Sequence, residues 1–133
     1  RHVARLDRGA VDEPLSLQGI FGYVFAPVAY MMGVEWADCT SFGSLLGTKI
    51  AVNEFIAFSE MEGMRETISP RSFTMAAYAL CGFANFASVG IQIGGISSLA
   101  PGRRADLSKL ALKAMLGGAF ASWMTATIAG AFL

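Results

Sequence analysis

The chain has 133 residues, of which 54% are hydrophobic and 15% charged, and its ten basic residues balance its ten acidic ones. An average soluble domain carries roughly 25% charged residues, and a chain this small cannot hide so much apolar surface in one water-facing core. The zero net charge excludes a general basic field for nucleic acid. Charge-free runs at 14–34, 72–102 and 114–133 match the roughly 20 apolar residues of a bilayer span. The expected class is an all-α membrane protein. No signal-peptide pattern opens the sequence, and a chain that starts on Arg1 and stops inside an apolar run at Leu133 reads as a piece of something longer.

The first stretch, Arg1 to Glu13, is polar and reads as a juxtamembrane lead-in, with Pro14 suited to the first turn of a helix. From 14 to 34 the sequence is apolar and aromatic, with Phe21, Tyr23, Phe25 and Tyr30 interrupted by Gly19, Gly22, Pro27 and Gly33. Aromatics favour the membrane–water interface. Periodicity leaves a spanning and an interfacial helix both open here. A polar step with Trp36 follows, and then segment 38–59 offers two short apolar arms around Lys49 and Glu54. Neither arm is long enough to cross, so the expected element is a re-entrant helical hairpin, whose broken backbone must be buried in protein.

A polar loop at 59–71 leads to an uncharged segment at 72–100, expected as one transmembrane helix. It carries Asn85, Ser88, Gln92, Ser97 and Ser98, which a purely lipid-facing helix would not. The Gly90-x-x-x-Gly94 spacing allows close helix approach. Gly94-Gly95 followed by Ser97-Ser98 suggests that the helix ends or unwinds there. The loop at 101–113 holds Arg103, Arg104, Lys109 and Lys113 against Asp106. By the positive-inside rule it faces the cytoplasm. The last transmembrane helix is expected over 109–133.

Glu54 is the first functional candidate. A carboxylate between apolar arms at membrane depth costs a few kcal/mol unless paired, solvated or liganded, and such residues mark substrate or ion pathways. The bland alternative is an ion pair with Lys49, although a spacing of five is not the favoured helical one. Asn85 and Ser88, three apart, would share a helical face, with Phe83 on another side of the same turn. Amide and hydroxyl together supply donors and acceptors for a polyol, or equally for a neighbouring helix. With Glu54 added, the set suits the vicinal hydroxyls of a sugar. Cys39 and Cys81 lack metal or disulfide spacing, His2 stands alone, and no catalytic motif is present. Neither an enzyme nor a metal site is expected.

Four separated stretches carry a family resemblance. They are Gly47-Thr-Lys-Ile-Ala-Val-Asn-Glu54-Phe, Tyr78-Ala-Leu-Cys-Gly-Phe-Ala-Asn85-Phe-Ala-Ser88, Ile93-Gly-Gly-Ile-Ser-Ser-Leu-Ala-Pro-Gly-Arg-Arg104 and Met124-Thr-Ala-Thr-Ile-Ala-Gly130, with Met32-Gly-Val-Glu-Trp36 as a fifth match. Together they resemble the C-terminal half of the concentrative nucleoside transporters. The resemblance implies an interfacial helix at 14–34, a hairpin at 38–59 and two spans, forming part of an inverted-repeat transporter. It further implies Glu54, Asn85 and Ser88 on the ribose hydroxyls and Phe83 lining the pocket. Sodium- or proton-coupled nucleoside import across a bacterial inner membrane is implied, in a homotrimer, with no cofactor beyond the coupling ion. The family's first hairpin has no counterpart here, so the base-side and most ion-side ligands would lie outside this sequence. The alternative is a truncated or split membrane interaction protein without transport activity.

Overall fold

A computed structural model describes residues 16–133. Those residues form six α-helices and no strand: α1 (Leu17–Met31), α2 (Cys39–Ala51), α3 (Glu54–Gly63), α4 (Pro70–Leu80), α5 (Phe86–Leu99) and α6 (Arg104–Ala131). Single 3₁₀ turns at Trp36–Asp38 and Pro101–Arg103 join α1 to α2 and α5 to α6. The start of the helix expected at Pro14 lies outside the described residues. Within them α1 begins at Leu17, where the Ser16 hydroxyl accepts from the Gly19 backbone N–H at 3.1 Å and satisfies one of the orphan donors of a helix start.

The core is built around α2. Every residue from Phe42 to Lys49 is buried, as expected of a helix surrounded by protein on all sides. Packing of α1 along it depends on small residues: a Cβ at Gly43 would stand 2.7 Å from the Gly22 carbonyl oxygen. The other helices bury one stripe each. In α4 the stripe is Ser72, Met75, Ala76, Ala79 and Leu80, and in α6 it is Met115, Ala119, Ser122, Trp123, Ala126 and Gly130, both at helical spacing. The remaining faces of α1 and α6 are apolar and exposed, with Tyr23, Val24, Met31, Leu116, Phe120, Met124 and Ile128 pointing outward.

One brace joins three helices at the end of the molecule away from the helix breaks. Arg71, in the first turn of α4, donates to the Gly33 carbonyl at 2.7 Å and to the Gly130 carbonyl at 2.8 Å. Both acceptors lie at helix C-terminal ends, where free carbonyls and the helix dipole favour a cation. Beside it, buried Asp38 accepts from the Ser69 backbone N–H at 3.1 Å.

Three expectations change. The segment 72–100 is not one helix: α4 stops at Leu80, residues 81–85 are non-helical, and α5 starts at Phe86. The physical reason is local, because Gly82 has φ +140° and Asn85 caps a new helix. The loop expected at 59–71 is shorter, since α3 continues to Gly63 with Ala57 and Met61 buried one turn apart. Finally, Gly94-Gly95 does not end a helix; α5 runs through to Leu99, with open space around Gly90, Gly94 and Gly95. The segment 109–133 is helical as part of α6 up to Ala131. No described helix is both long and apolar enough to cross a membrane.

Candidate functional site

Two helix breaks meet at one place. The first lies at Val52 and Asn53 in the hairpin tip, between α2 and α3. There Asn53 caps α3, its side-chain oxygen accepting from the Ile56 N–H at 2.9 Å. Glu54 therefore falls in the first turn of α3, where the positive end of the helix dipole stabilises a carboxylate. The second break is 81–85. Asn85 caps α5 by accepting from the Ser88 N–H at 2.7 Å, while the Ser88 hydroxyl accepts from the Asn85 N–H at 3.3 Å and donates to the Asn85 carbonyl at 2.7 Å. This is a capping box with Ser at the third helical position.

The two breaks are joined by a single side-chain hydrogen bond. The Asn85 amide nitrogen donates to Glu54 Oε2 at 2.8 Å, so the half-buried carboxylate sits at one helix N-terminus and is tied to the cap of another. Asn85 and Ser88 are almost fully buried, 1% and 2% exposed. That burial is affordable because their polar atoms satisfy each other. Among the described residues, Glu54 Oε1 has no protein partner.

The structure thus brings together Glu54, Asn85 and Ser88, but not as neighbours on one regular helical face. Asn85 is a cap and Ser88 is its box partner, which leaves fewer free valences than two helix-surface side chains would offer. Phe83 is 59% exposed in the non-helical segment. With Ser88, Gln92 and Met115 it lines a cavity of about 280 Å³ between the broken helix and α6. Glu54 and Asn85 do not line that cavity. The ion pair considered between Glu54 and Lys49 does not form: among the described residues the ion pairs are Arg65–Glu62 and Arg103–Asp106.

Lys49 goes elsewhere, and sequence reasoning missed where. Its side chain is fully buried, and its ammonium donates to the Ala79 carbonyl at 2.8 Å and to the Ser122 hydroxyl at 3.1 Å. Ala79 is in the last turn of α4, where carbonyls lack helical partners. Gly82 completes the approach: with its positive φ and no side chain, it leaves the ammonium access to the break, and a Cβ there would lie 3.1 Å from Ser122 Oγ. The available signals were Gly82, rarely tolerated inside a helix without reason, and Asn85-x-x-Ser88, readable as a cap. Of the two cysteines, Cys39 is buried and Cys81 exposed, and both are free.

Comparison with known proteins agrees with this architecture. Residues 3–130 match the family model described as Na+ dependent nucleoside transporter C-terminus. The chain is similar to the uncharacterized transporter YutK of Bacillus subtilis, 43% identical over 119 residues that cover 90% of this chain and 30% of YutK. It is also similar to sodium/nucleoside cotransporter 1 of Rattus norvegicus, 44% identical over 131 residues that cover 87% of this chain and 20% of the rat protein. Among solved structures, CNTnw in an inward-facing substrate-bound state superposes with a TM-score of 0.83 at 40% identity, covering 87% of this chain and 29% of that one. The chain therefore spans less than a third of the length of these relatives. It belongs to the concentrative nucleoside transporter family and corresponds to the family's C-terminal region.

Proposed function

We propose that this chain supplies the ribose-binding half of a nucleoside importer coupled to sodium or protons, acting in a bacterial inner membrane as part of a homotrimer. The observation that carries the reading is the Glu54–Asn85 hydrogen bond at 2.8 Å, which joins a hairpin tip to a broken helix. Discontinuous helices meeting near the middle of an inverted repeat form the substrate sites of many transporters. Glu54 presents a free carboxylate oxygen to vicinal hydroxyls, Asn85 retains a second amide hydrogen, and Ser88 holds a further lone pair. Phe83 lines the adjoining cavity with an apolar ring.

The same reading gives each helix a place. α2 and α3 form the re-entrant hairpin over 38–59 with α3 extended, α1 lies at the interface, and α4 with α5 makes one discontinuous crossing. α6 provides the second crossing, with the basic loop at 101–113 in the cytoplasm. Non-helical backbone at 81–85 is tolerable at membrane depth where it is covered by protein or lines a cavity; here Ala84 and Asn85 are buried, and Gly82 and Phe83 line the cavity beside α6. The family relation points to transport rather than catalysis.

The test is Glu54→Gln in the full-length protein that carries this segment. Hydrogen bonds to a charged group contribute about 1.5–3 kcal/mol, so uptake of labelled uridine should fall about ten- to a hundredfold with expression unchanged. Near-normal uptake would sink the assignment.

A further inference from the structure

Lys49 is a buried cation with no carboxylate in ion-pair contact among the described residues, and its side chain is 0% exposed. An ammonium in such a place requires oxygen partners, since burying a charge without them is prohibitive. It finds two: the Ala79 carbonyl at the C-terminal end of α4, at 2.8 Å, and the Ser122 hydroxyl of α6, at 3.1 Å. Ser122 is in turn anchored by donating to the Gly118 carbonyl at 2.9 Å. The position is the negative end of a half-helix dipole at a helix break. In broken-helix transporters, unwound carbonyls and half-helix C-terminal ends are where a coupling cation is held.

We propose that Lys49 is a tethered internal cation: its ammonium fills the cation seat at the C-terminal end of the broken helix, so this half carries that positive charge covalently rather than as a soluble ion. Three elements are tied by the one group, the hairpin through Lys49, α4 through Ala79 and α6 through Ser122. The break that begins at Cys81 is thereby fixed four residues before Asn85, which faces Glu54. Lys49 is a positioning residue that acts through the break and does not touch the nucleoside. The inference rests on the transport reading above.

The experiment uses the full-length protein in proteoliposomes, with Lys49→Met, which keeps the length and removes the charge, and Lys49→Ala, which also opens the seat. Both should lower uridine uptake about tenfold, the loss that a buried acceptor left unsatisfied implies, with unchanged size-exclusion profiles. Millimolar ethylammonium should then restore uptake severalfold and raise the melting temperature of Lys49→Ala, and do neither for Lys49→Met, whose side chain occupies the seat. Uptake by Lys49→Met within about twofold of the unsubstituted protein overturns the proposal, since less than a factor of two is below the effect of one lost hydrogen bond. So does a folded Lys49→Ala that ethylammonium neither reactivates nor stabilises. If Lys49→Ala does not fold even with ethylammonium present, Ser122→Ala decides: a severalfold rise in the KM for uridine supports the proposal and unchanged kinetics overturn it. An unsubstituted protein that imports no nucleoside counts against the transport reading alone, and the melting-temperature arm still judges Lys49.

Discussion

The two ends of the broken helix are opposite in polarity, and the hairpin meets them with opposite charges. At the C-terminal end of α4, the Ala79 carbonyl accepts from the Lys49 ammonium. At the N-terminal end of α5, the Asn85 cap faces the Glu54 carboxylate. Both charged residues come from the same hairpin tip, five positions apart in sequence. They differ in solvation: Lys49 is fully buried and donates to two oxygens, whereas Glu54 is half-buried and keeps one oxygen free. One end is closed by oxygens on its cation, and the other keeps an unpaired carboxylate oxygen, which the proposed function assigns to a ligand. A simple ion pair between the two residues would have drawn the ammonium from the Ala79 carbonyl and the carboxylate from the Asn85 amide.

That contrast can be broken from either side. Asn85→Asp should have the largest effect, exceeding those of the Glu54 and Lys49 variants. It preserves an N-cap, yet it sets a second carboxylate against Glu54, where like charges at hydrogen-bond distance oppose joint ionisation. Uridine uptake should be lost with the melting temperature falling only slightly; retained uptake would mean that the Asn85 amide does not serve the open end. Next comes Gly82→Ala. An alanine at φ +140° in a region almost confined to glycine costs about 1–3 kcal/mol, and its Cβ would crowd Ser122. A drop in melting temperature of several degrees is expected, and an unchanged value would show that the closed end is not rigid.

The smallest effect is expected for Glu62→Gln, far from both ends. Hydrogen bonds from the Arg65 guanidinium hold the Glu62 carboxyl below its ordinary range. A carboxylate with a depressed pKa stabilises the fold above its unfolded value and loses that contribution as pH falls through the folded one. Both groups are exposed, so solvent screens the pair. Melting temperature and uptake at neutral pH should overlay those of the unsubstituted protein. A measurable loss there would mean that charge at the hairpin base, and not only at its tip, supports the site.

How much of this was legible in the sequence depends on what kind of signal each element leaves. The hairpin tip was legible because two charges interrupt apolar arms too short to cross, a cost with few physical explanations. Glu54, Asn85 and Ser88 were legible as polar residues in apolar surroundings, and their order matched a known family. The break at 81–85 was not, because hydropathy registers composition and no charge marks that position. Its signals are a single glycine and the Asn85–Ser88 spacing, which also fits an unbroken helix surface. The role of Lys49 was hidden for another reason. Its acceptors, Ala79 and Ser122, lie 30 and 73 positions away, and one of them is a backbone carbonyl with no residue type to betray it.

The Arg71 brace has a mechanical consequence. A planar guanidinium bonded through two nitrogens to carbonyls of two other segments fixes an angle as well as a distance. The start of α4, the exit of α1 and the end of α6 are thus triangulated by one side chain. Any rocking of this unit must carry the three ends together, and the Lys49 ammonium ties the opposite end of α4 to the hairpin and α6 as well. A lysine at this position, with a single point charge on a flexible stem, would hold one carbonyl at a time and let the three ends shear.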